Sequence, residues 1–286
     1  FETDGSARPI HHTPSELKAI GEVHGVELGW SRERVSLSTK TRQVGSRPIA
    51  DLAKDAYSKI KAGQHVVRPF LGYYSVARLG VKKKETHNQK KALTDLRAGY
   101  KNALKKESSQ WAAERWFAGL QSRAYARIAE ASIIFEKVKT VLLSLFSGME
   151  NPLEDIHHDP ETDKIFIRMS NSEGFIPSSF LSSGYQSVLA MGFDIVYRIF
   201  VLNPHLGADA FDKTPGIALI DETDMHLHPK WQGRIIEDLR SAFPVLQFVF
   251  TTHSPFVVQS LRNSRIIDLD AQHVRDVGDY VKKSIP

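Results

Sequence analysis

Hydrophobic spacing divides the chain into a weakly patterned beginning and a strongly patterned remainder. Residues 1–50 are polar and carry few periodic signals, which reads as loops with one or two short strands. Over 50–62, Leu52, Ala56 and Ile60 return on one face of a helix. Residues 66–77, VVRPFLGYYSVA, are apolar, β-branched and aromatic. They predict a buried strand that starts after Pro69, since proline has no N–H for a sheet ladder. A stretch rich in Ala, Leu and Lys follows, part helix and part loop. Between 110 and 146, Trp111, Phe117, Ala124, Ile128, Phe135, Val138, Leu142 and Leu145 keep a helical period. This is one long helix or two broken near Gly119, and Ser147, Gly148, Asn151 and Pro152 end it.

Further along, strands and helices alternate. His157-His158-Asp159-Pro160 reads as a loop. KIFIRM at 164–169, the turn Asn171-Ser172-Glu173-Gly174 and then Phe175-Ile176 make a hairpin. An amphipathic helix over 183–202 precedes a strand over 216–221, a helix over 229–243, a strand over 246–252, a short helix over 254–262 and a last strand over 265–269. That alternation predicts a parallel sheet with helices on its faces.

At 286 residues and 41% apolar composition, the chain is long enough for one large or two small domains with a sizeable core. The absence of Cys excludes a disulfide-stapled secreted domain and any cysteine metal site. No apolar run approaches the roughly 18 residues of a membrane span. The opening FETDGSARPI is no signal peptide and lacks an initiator Met. The expectation is a cytoplasmic protein of which this chain is a fragment.

Charge is unevenly placed. Nine of the basic residues and three acids fall between Val81 and Glu107, a local +6 within a formal total of +5. Lys82, Lys83 and Lys84 open this run, and Lys90, Lys91, Arg97, Lys101, Lys105 and Lys106 continue it. Such a segment suits phosphate backbones or an acidic partner, or is simply a solvated helix face. With Tyr100 as its one aromatic, nothing in it favours base stacking.

The chemistry concentrates later. In Gly216-Ile217-Ala218-Leu219-Ile220-Asp221-Glu222 an apolar strand runs into two adjacent acids. The strand end would present Asp221 to a Mg²⁺ shell through water, and Glu222 to the water that attacks a γ-phosphate. Ligands of parallel sheets lie at those carboxyl ends. Taken alone, acids at a strand end also serve solubility. His253, 31 residues after Glu222, ends a second apolar strand in Thr251-Thr252-His253-Ser254-Pro255 and suits contact with a γ-phosphate. Upstream, Phe180-Leu181-Ser182-Ser183-Gly184-Tyr185-Gln186 opens a helix. Ser182 is a good N-cap there, and Gly184 lets a ligand approach the backbone, an arrangement suited to an anion.

In this order and spacing the three segments resemble the ABC-type ATPases, with LSSGYQ as signature motif, ALIDE as Walker B and TTHSP as switch-histidine loop. IDETDMHLHPKWQ is similar to the AAA-type, SMC- and RecF-related ATPases of bacterial defence and DNA maintenance, among them the Septu and retron-associated ATPases that work beside an HNH nuclease. The resemblance implies an α/β P-loop NTPase head, a mostly parallel sheet flanked by helices, with a helical insert lobe. The rest of an N-terminal ATPase lobe would occupy 1–80, the basic insert 81–150, and the signature, Walker B and switch-histidine part 151–286.

It implies further that ATP and Mg²⁺ bind between two copies paired head to tail. Ser182, Ser183, Gly184 and Gln186 would bind nucleotide across the seam. Asp221 would hold the metal shell, while Glu222 and His253 act on the γ-phosphate. Asp224, His226 and His228 would line the seam. Arg78, in a strand-plus-Arg segment these ATPases carry, would reach nucleotide or couple the lobes. Lys82, Lys83, Lys84, Lys90 and Lys91 would meet DNA, RNA or a partner such as the nuclease.

Three departures stand out. GxxxxGK[ST] is absent, and none of the 18 glycines precedes a lysine. Either the phosphate-cradling loop belongs to a part of the protein outside these residues, or the ATPase is degenerate. His228 stands where transporter ATPases carry Asp, as is usual in the resembled subgroup, and Tyr185 follows the signature glycine in place of Gln or Glu. A metal-hydrolase alternative rests on Asp221, Glu222, Asp224, His226 and His228. Other functions left open are a DNA-repair ATPase that binds DNA directly and a scaffold that binds nucleotide without hydrolysing it.

Overall fold

The computed structural model describes residues 14–36, 44–75, 97–105, 110–262, 264–269 and 273–276. Their strands are β1 (Ser15–Val23), β2 (Val26–Arg34), β3 (Phe70–Tyr74), β4 (Leu153–Asp159), β5 (Lys164–Met169), β6 (Ile176–Pro177), β7 (Gly216–Ile220), β8 (Leu246–Phe250), β9 (Arg265–Asp268) and β10 (His273–Asp276). The helices are α1 (Arg47–Lys61), α2 (Gln110–Tyr125), α3 (Ala129–Ser144), α4 (Ser183–Leu202), α5 (Ala210–Lys213), α6 (Pro229–Gln232), α7 (Ile235–Ala242) and α8 (Pro255–Ser260). They fall into two compact units, Phe1–Val66 and Val67–Pro286.

In the first unit, β1 and β2 form a hairpin of nine-residue strands, longer than the short strands expected there. His24 and Gly25, both at positive φ, make the two-residue turn that suits the right-handed twist of a hairpin. Helix α1 sets Leu52, Ala56 and Ile60 along one half-buried stripe, with Pro48 in its first turn.

The second unit is built on α4. Its buried Val188, Leu189, Met191, Phe193, Ile195, Val196 and Ile199 leave little of its circumference exposed. Among the described residues it is one helix long and apolar enough to cross a bilayer, but 78% of that stretch is buried inside the protein. Helices α2 and α3 pack on it through aromatic pairs: Phe117 lies 5.3 Å from Phe135 and 5.2 Å from Phe193, and Trp116 lies 5.3 Å from Phe200. The helical stretch over 110–146 breaks at 126–128, with Arg127 at φ 59°, and not near Gly119, which lies inside α2. Phe117, Leu120 and Ala124 anchor the helix past the glycine, and the turn then returns Ala131, Ile134 and Phe135 to the core.

Beside α4 runs a three-stranded parallel sheet in the order β3-β7-β8. Its two faces differ. Phe70, Tyr74, Ala218 and Ile220 are buried on one, whereas Leu71, Ile217, Leu219 and Val249 on the other remain 38%, 39%, 38% and 47% exposed. Parallel sheets are normally covered on both faces. Strand β9 does not extend this sheet as expected but pairs antiparallel with β10. The helix over 229–243 is two, α6 and α7, separated at Gly233-Arg234.

His157 and His158 lie in a strand, correcting the loop expected for them: β4 pairs with β5 in a second, antiparallel sheet β4-β5-β6. Here pairing overrides composition, because Ile156 opposes Ile167 in the core and the Gln121 amide brackets the backbone of His158, donating to its carbonyl at 2.7 Å and accepting its N–H at 2.8 Å.

One charge pair lies inside this core. Arg198 on α4 donates from Nε to Asp194 at 2.7 Å and from Nη1 to the carbonyls of Gly99 and Lys101 at 2.9 and 3.0 Å, while Tyr74 donates to Asp194 at 2.9 Å. Every member is satisfied, and the network ties residues 99–101 and the end of β3 to the central helix. Removing one partner strands a buried charge. Arg198→Ala is therefore expected to cost about 3–5 kcal/mol in denaturant unfolding, and a loss under about 1 kcal/mol would contradict this account.

Asp238 on α7 is 5% exposed, and its Oδ2 has no hydrogen-bond partner of good geometry among the described residues. Burial pushes its carboxyl up to about 6, against the pull of Arg234. The folded state thus holds the proton more tightly than the unfolded chain. This group's favourable contribution is full below about pH 4 and is lost as pH rises through about 6. Asp238→Asn is expected to raise Tm at neutral pH, with a gain that shrinks once pH falls below 6. A gain that does not change with pH would refute the assignment.

Candidate functional site

The carboxyl ends of β7 and β8 stand side by side, with Ile220 opposite Phe250. Ladder bonds continue past both strands: Thr251 N–H donates to Ile220 O at 3.0 Å and Thr223 N–H to Thr251 O at 3.0 Å. On the other side, Asp221 N–H donates to Tyr74 O at 2.8 Å. Asp221 is therefore held from both neighbours. Its Oδ1 accepts the Thr251 hydroxyl at 2.6 Å, and the Tyr73 hydroxyl lies 3.5 Å from Oδ2. Glu222 follows at φ 49°, its N–H donating to Thr251 Oγ1 at 2.8 Å. Among the described residues no hydrogen-bond partner reaches its carboxylate, which is half-buried.

The loop beyond the acids is held just as closely. Thr252 donates its hydroxyl to Asp224 Oδ1. Gln232 on α6 donates to the carbonyls of Asp224 and Leu227 at 3.2 and 3.0 Å and accepts the Ser254 hydroxyl at 2.7 Å. One glutamine thus joins the loop after Glu222 to the loop after His253. His228 caps α6, its Nδ1 accepting the Lys230 N–H at 3.3 Å. His226 and His253 are exposed. Thr251, Thr252 and Gln232 were not among the sequence-derived candidates. The two threonines adjoin His253 in the TTHSP motif, which was the available signal.

Ser182 is the N-cap residue of α4, with extended backbone and no capping bond from its side chain. Ser182 and Ser183 are exposed at the positive end of a 20-residue helix. Gly184 is needed for a contact within the chain: a Cβ there would lie 2.5 Å from the carbonyl oxygen of His226. Gln186 points its amide at the preceding turn, donating to Ser179 O at 3.0 Å and Leu181 O at 2.7 Å. Tyr185 stacks on Phe146 at 5.6 Å and donates to Asn151 O at 3.1 Å, so this departure from the signature pattern serves packing. Between α4 and the acids lies a small pocket open to solvent, lined by Ser75, Ser187, Met191, Glu222, Thr223 and His226 among others.

The structure therefore gathers Asp221, Glu222 and Asp224 beside the His253 loop and sets Gly184 against His226. Arg78, Lys82, Lys83, Lys84, Lys90 and Lys91 lie outside the described residues. The metal-hydrolase alternative loses its basis, since among the described residues no three His, Asp or Glu side chains converge. Asp224 is engaged by Thr252 and His228 by α6. The Asp221 carboxylate is the hard oxygen donor that Mg²⁺ takes, and Thr251 fixes its orientation, so this position fits the ion.

A family model described as AAA ATPase domain matches residues 50–258. The chain is 35% identical over 143 residues to the Retron Vc95 probable ATPase of Vibrio cholerae serotype O1 biovar El Tor, covering 49% of this chain and 25% of that protein. It is 32% identical over 152 residues to the Septu protein PtuA of Bacillus mycoides (strain KBAB4), covering 53% of this chain and 20% of that one. The matched stretch thus spans a quarter or less of these relatives' length. Among solved structures it is similar to the SMC head domain from Thermotoga maritima, with a TM-score of 0.40 and 16% identity over 87% of this chain and 68% of the other.

Gly184→Ala should force the His226 loop to move, because the added carbon meets backbone and not a flexible side-chain end. Overpacking of this kind costs about 1–3 kcal/mol. Denaturant unfolding measures it, and an alanine variant as stable as the parent would show that the approach is looser than described.

Proposed function

The chain belongs to the AAA ATPase domain family, and from that premise we propose that it carries the hydrolytic half of an ATP-binding head in bacterial anti-phage defence. The observation that carries this reading is the pair of unlike acids at the end of β7: Asp221 held by hydrogen bonds, and Glu222 beside it with a carboxylate that no partner among the described residues reaches.

In this reading two copies pair head to tail around ATP. Glu222 takes a proton from the water that attacks the γ-phosphorus. The bond to the β–γ bridging oxygen breaks, ADP leaves with that oxygen, and the phosphate carries the oxygen of the water. Asp221 would hold Mg²⁺, whose charge would neutralise that of the phosphate oxygens when it is bound with ATP. His253 contacts the γ-phosphate from its exposed loop. Ser182, Ser183 and the amides of the first turn of α4 in the second copy meet the same phosphate from across the seam, and that helix end favours an anion. Asp224, His226 and His228 line the seam. Gln186 acts there indirectly, by holding the turn that presents Ser182.

The phosphate-cradling loop comes, in this reading, from residues other than these 286, since no GxxxxGK[ST] occurs among them. The open apolar face of the sheet supports this. Leu219 lies on that face and Asp221, two residues on, ends it, so a strand–loop–helix unit seated there would bring its helix N-terminus to Asp221. Arg78 would reach nucleotide or couple the lobes. The run from Lys82 to Lys91 would meet nucleic acid or a nuclease partner of HNH type.

Glu222→Gln in the complete protein tests the reading. Turnover is expected to fall by about 100-fold or more, the usual scale for a lost general base. ATP binding should persist, and light scattering should show an ATP-trapped dimer. Hydrolysis at the parent rate would remove Glu222 from the mechanism.

A further inference from the structure

Two consecutive residues of a strand point to opposite faces of its sheet. Asp221 and Glu222 are consecutive, yet the reaction proposed above needs both at one phosphate. The alternation is broken by the left-handed conformation of Glu222, at φ 49°, a region non-glycine residues seldom adopt. Something must hold that turn. The loop itself contributes the Met225 N–H, which donates to Glu222 O at 3.0 Å, but its own strand offers no acceptor for the Glu222 N–H. The neighbouring strand does. The Thr251 hydroxyl donates its single proton to Asp221 Oδ1 at 2.6 Å and accepts the Glu222 N–H at 2.8 Å. The first bond is charge-assisted and short, and fixes the rotation of the carboxylate. The second gives the turned amide its acceptor.

We infer that Thr251 is the positioning residue of this site, one hydroxyl that sets both acids at once. It orients Asp221 toward a divalent cation and holds Glu222 in the left-handed turn that brings its carboxylate to the same side. The inference rests on the ATPase reading above. It concerns a residue two positions before His253, so the loop that would touch the γ-phosphate also carries the hydroxyl that aligns the acids. Thr252 adds a second tie from that loop, to Asp224. Thr251 is itself exposed, with no place in the hydrophobic core, so its removal leaves packing intact.

Thr251→Val removes the hydroxyl and keeps the shape, Thr251→Ala is a second hydroxyl-free variant, and Thr251→Ser restores the donor and acceptor. In the complete protein, the Val and Ala variants are expected to lose about 10- to 100-fold in kcat, the scale seen when a partner behind a metal-holding side chain is removed. KM for ATP, measured at saturating Mg²⁺, should change less than kcat, because ATP binding also draws on other groups. With a non-hydrolysable ATP analogue present, paramagnetic resonance with Mn²⁺ should show weaker ion binding by a similar factor, and Thr251→Ser should recover both values.

Parent-like kcat and Mn²⁺ affinity in the Val and Ala variants would overturn the inference. So would a fall in Tm shared by the Val, Ala and Ser variants, which would make the residue merely structural. If the parent hydrolyses ATP, Glu222→Gln does not and Thr251→Val does, the role of Thr251 fails while the ATPase reading stands. If the parent and Glu222→Gln are equally without turnover, the ATPase reading itself has failed.

Discussion

Hydrogen bonding of β7 on both sides is the constraint from which the site follows. Its five residues pair in parallel with β3 and β8, and the ladder continues past the last of them through Asp221 N–H to Tyr74 O and Thr251 N–H to Ile220 O. A strand so held has no freedom of register. A slip of one residue would exchange the buried Ala218 and Ile220 for the half-exposed Leu219 and Ile217. The position of the acids along and across the sheet is thus set by core packing, not by the acids themselves. Hydroxyls from the adjoining strand end then complete what the ladder begins.

A second constraint comes from α4, which serves as both core and site. Its middle is buried almost all round, while its first turn carries Ser182 and Ser183 at the surface and Gly184 against the carbonyl of His226. The apolar packing that fixes the helix axis therefore also fixes where its positive end opens. The charges inside this helix follow the same economy. Arg198 is tolerable at 2% exposure because Asp194 and two carbonyls satisfy it. Those carbonyls belong to Gly99 and Lys101, so the later part of the lysine-rich stretch is anchored to the helix that opens at Ser183.

Legibility in the sequence depended on the range of the interaction responsible. The bounds of helix 183–202 were readable to the residue from an apolar run and a serine cap, which are local signals, but the amphipathic character expected of it is corrected by the structure, where neighbours packed on all sides bury nearly its whole circumference. The strand ending in Asp221-Glu222 and the one before His253 were readable as apolar runs with chemistry at their ends. Strand β4 was not: LEDIHHD is polar, and it becomes a strand because Ile156 and Ile167 meet in the core and Gln121 brackets its backbone. The break between α2 and α3 was misplaced for a related reason, as a glycine costs a helix only about 1 kcal/mol and the buried residues on either side of Gly119 outweigh it. At the site, the acids and the histidine announced themselves by type and spacing. Thr251 and Gln232 did not, because each is an ordinary polar residue whose meaning lies in partners from another strand or loop. Gly184 stands out in the sequence for closeness to a ligand, whereas its nearest demand is from the chain's own backbone.

The unequal faces of the parallel sheet connect stability to function in the proposed head. Leu71, Ile217, Leu219 and Val249 keep roughly two-fifths of their surface in contact with water. Full burial of such a side chain is worth about 1.5–3 kcal/mol, so covering what remains of the four would contribute on the order of 2–5 kcal/mol. That would favour docking of a segment and help to fix its position, since the patch is bounded at one end by Asp221. A phosphate-cradling unit held by this patch would be aligned to the metal-holding carboxylate by the same apolar contact that stabilises the sheet. Nucleotide affinity and fold stability would then depend on one surface. A sheet that the described residues leave open on one face is a poor design for an isolated domain, but it suits the proposed head, in which the other half of the site would be brought to it.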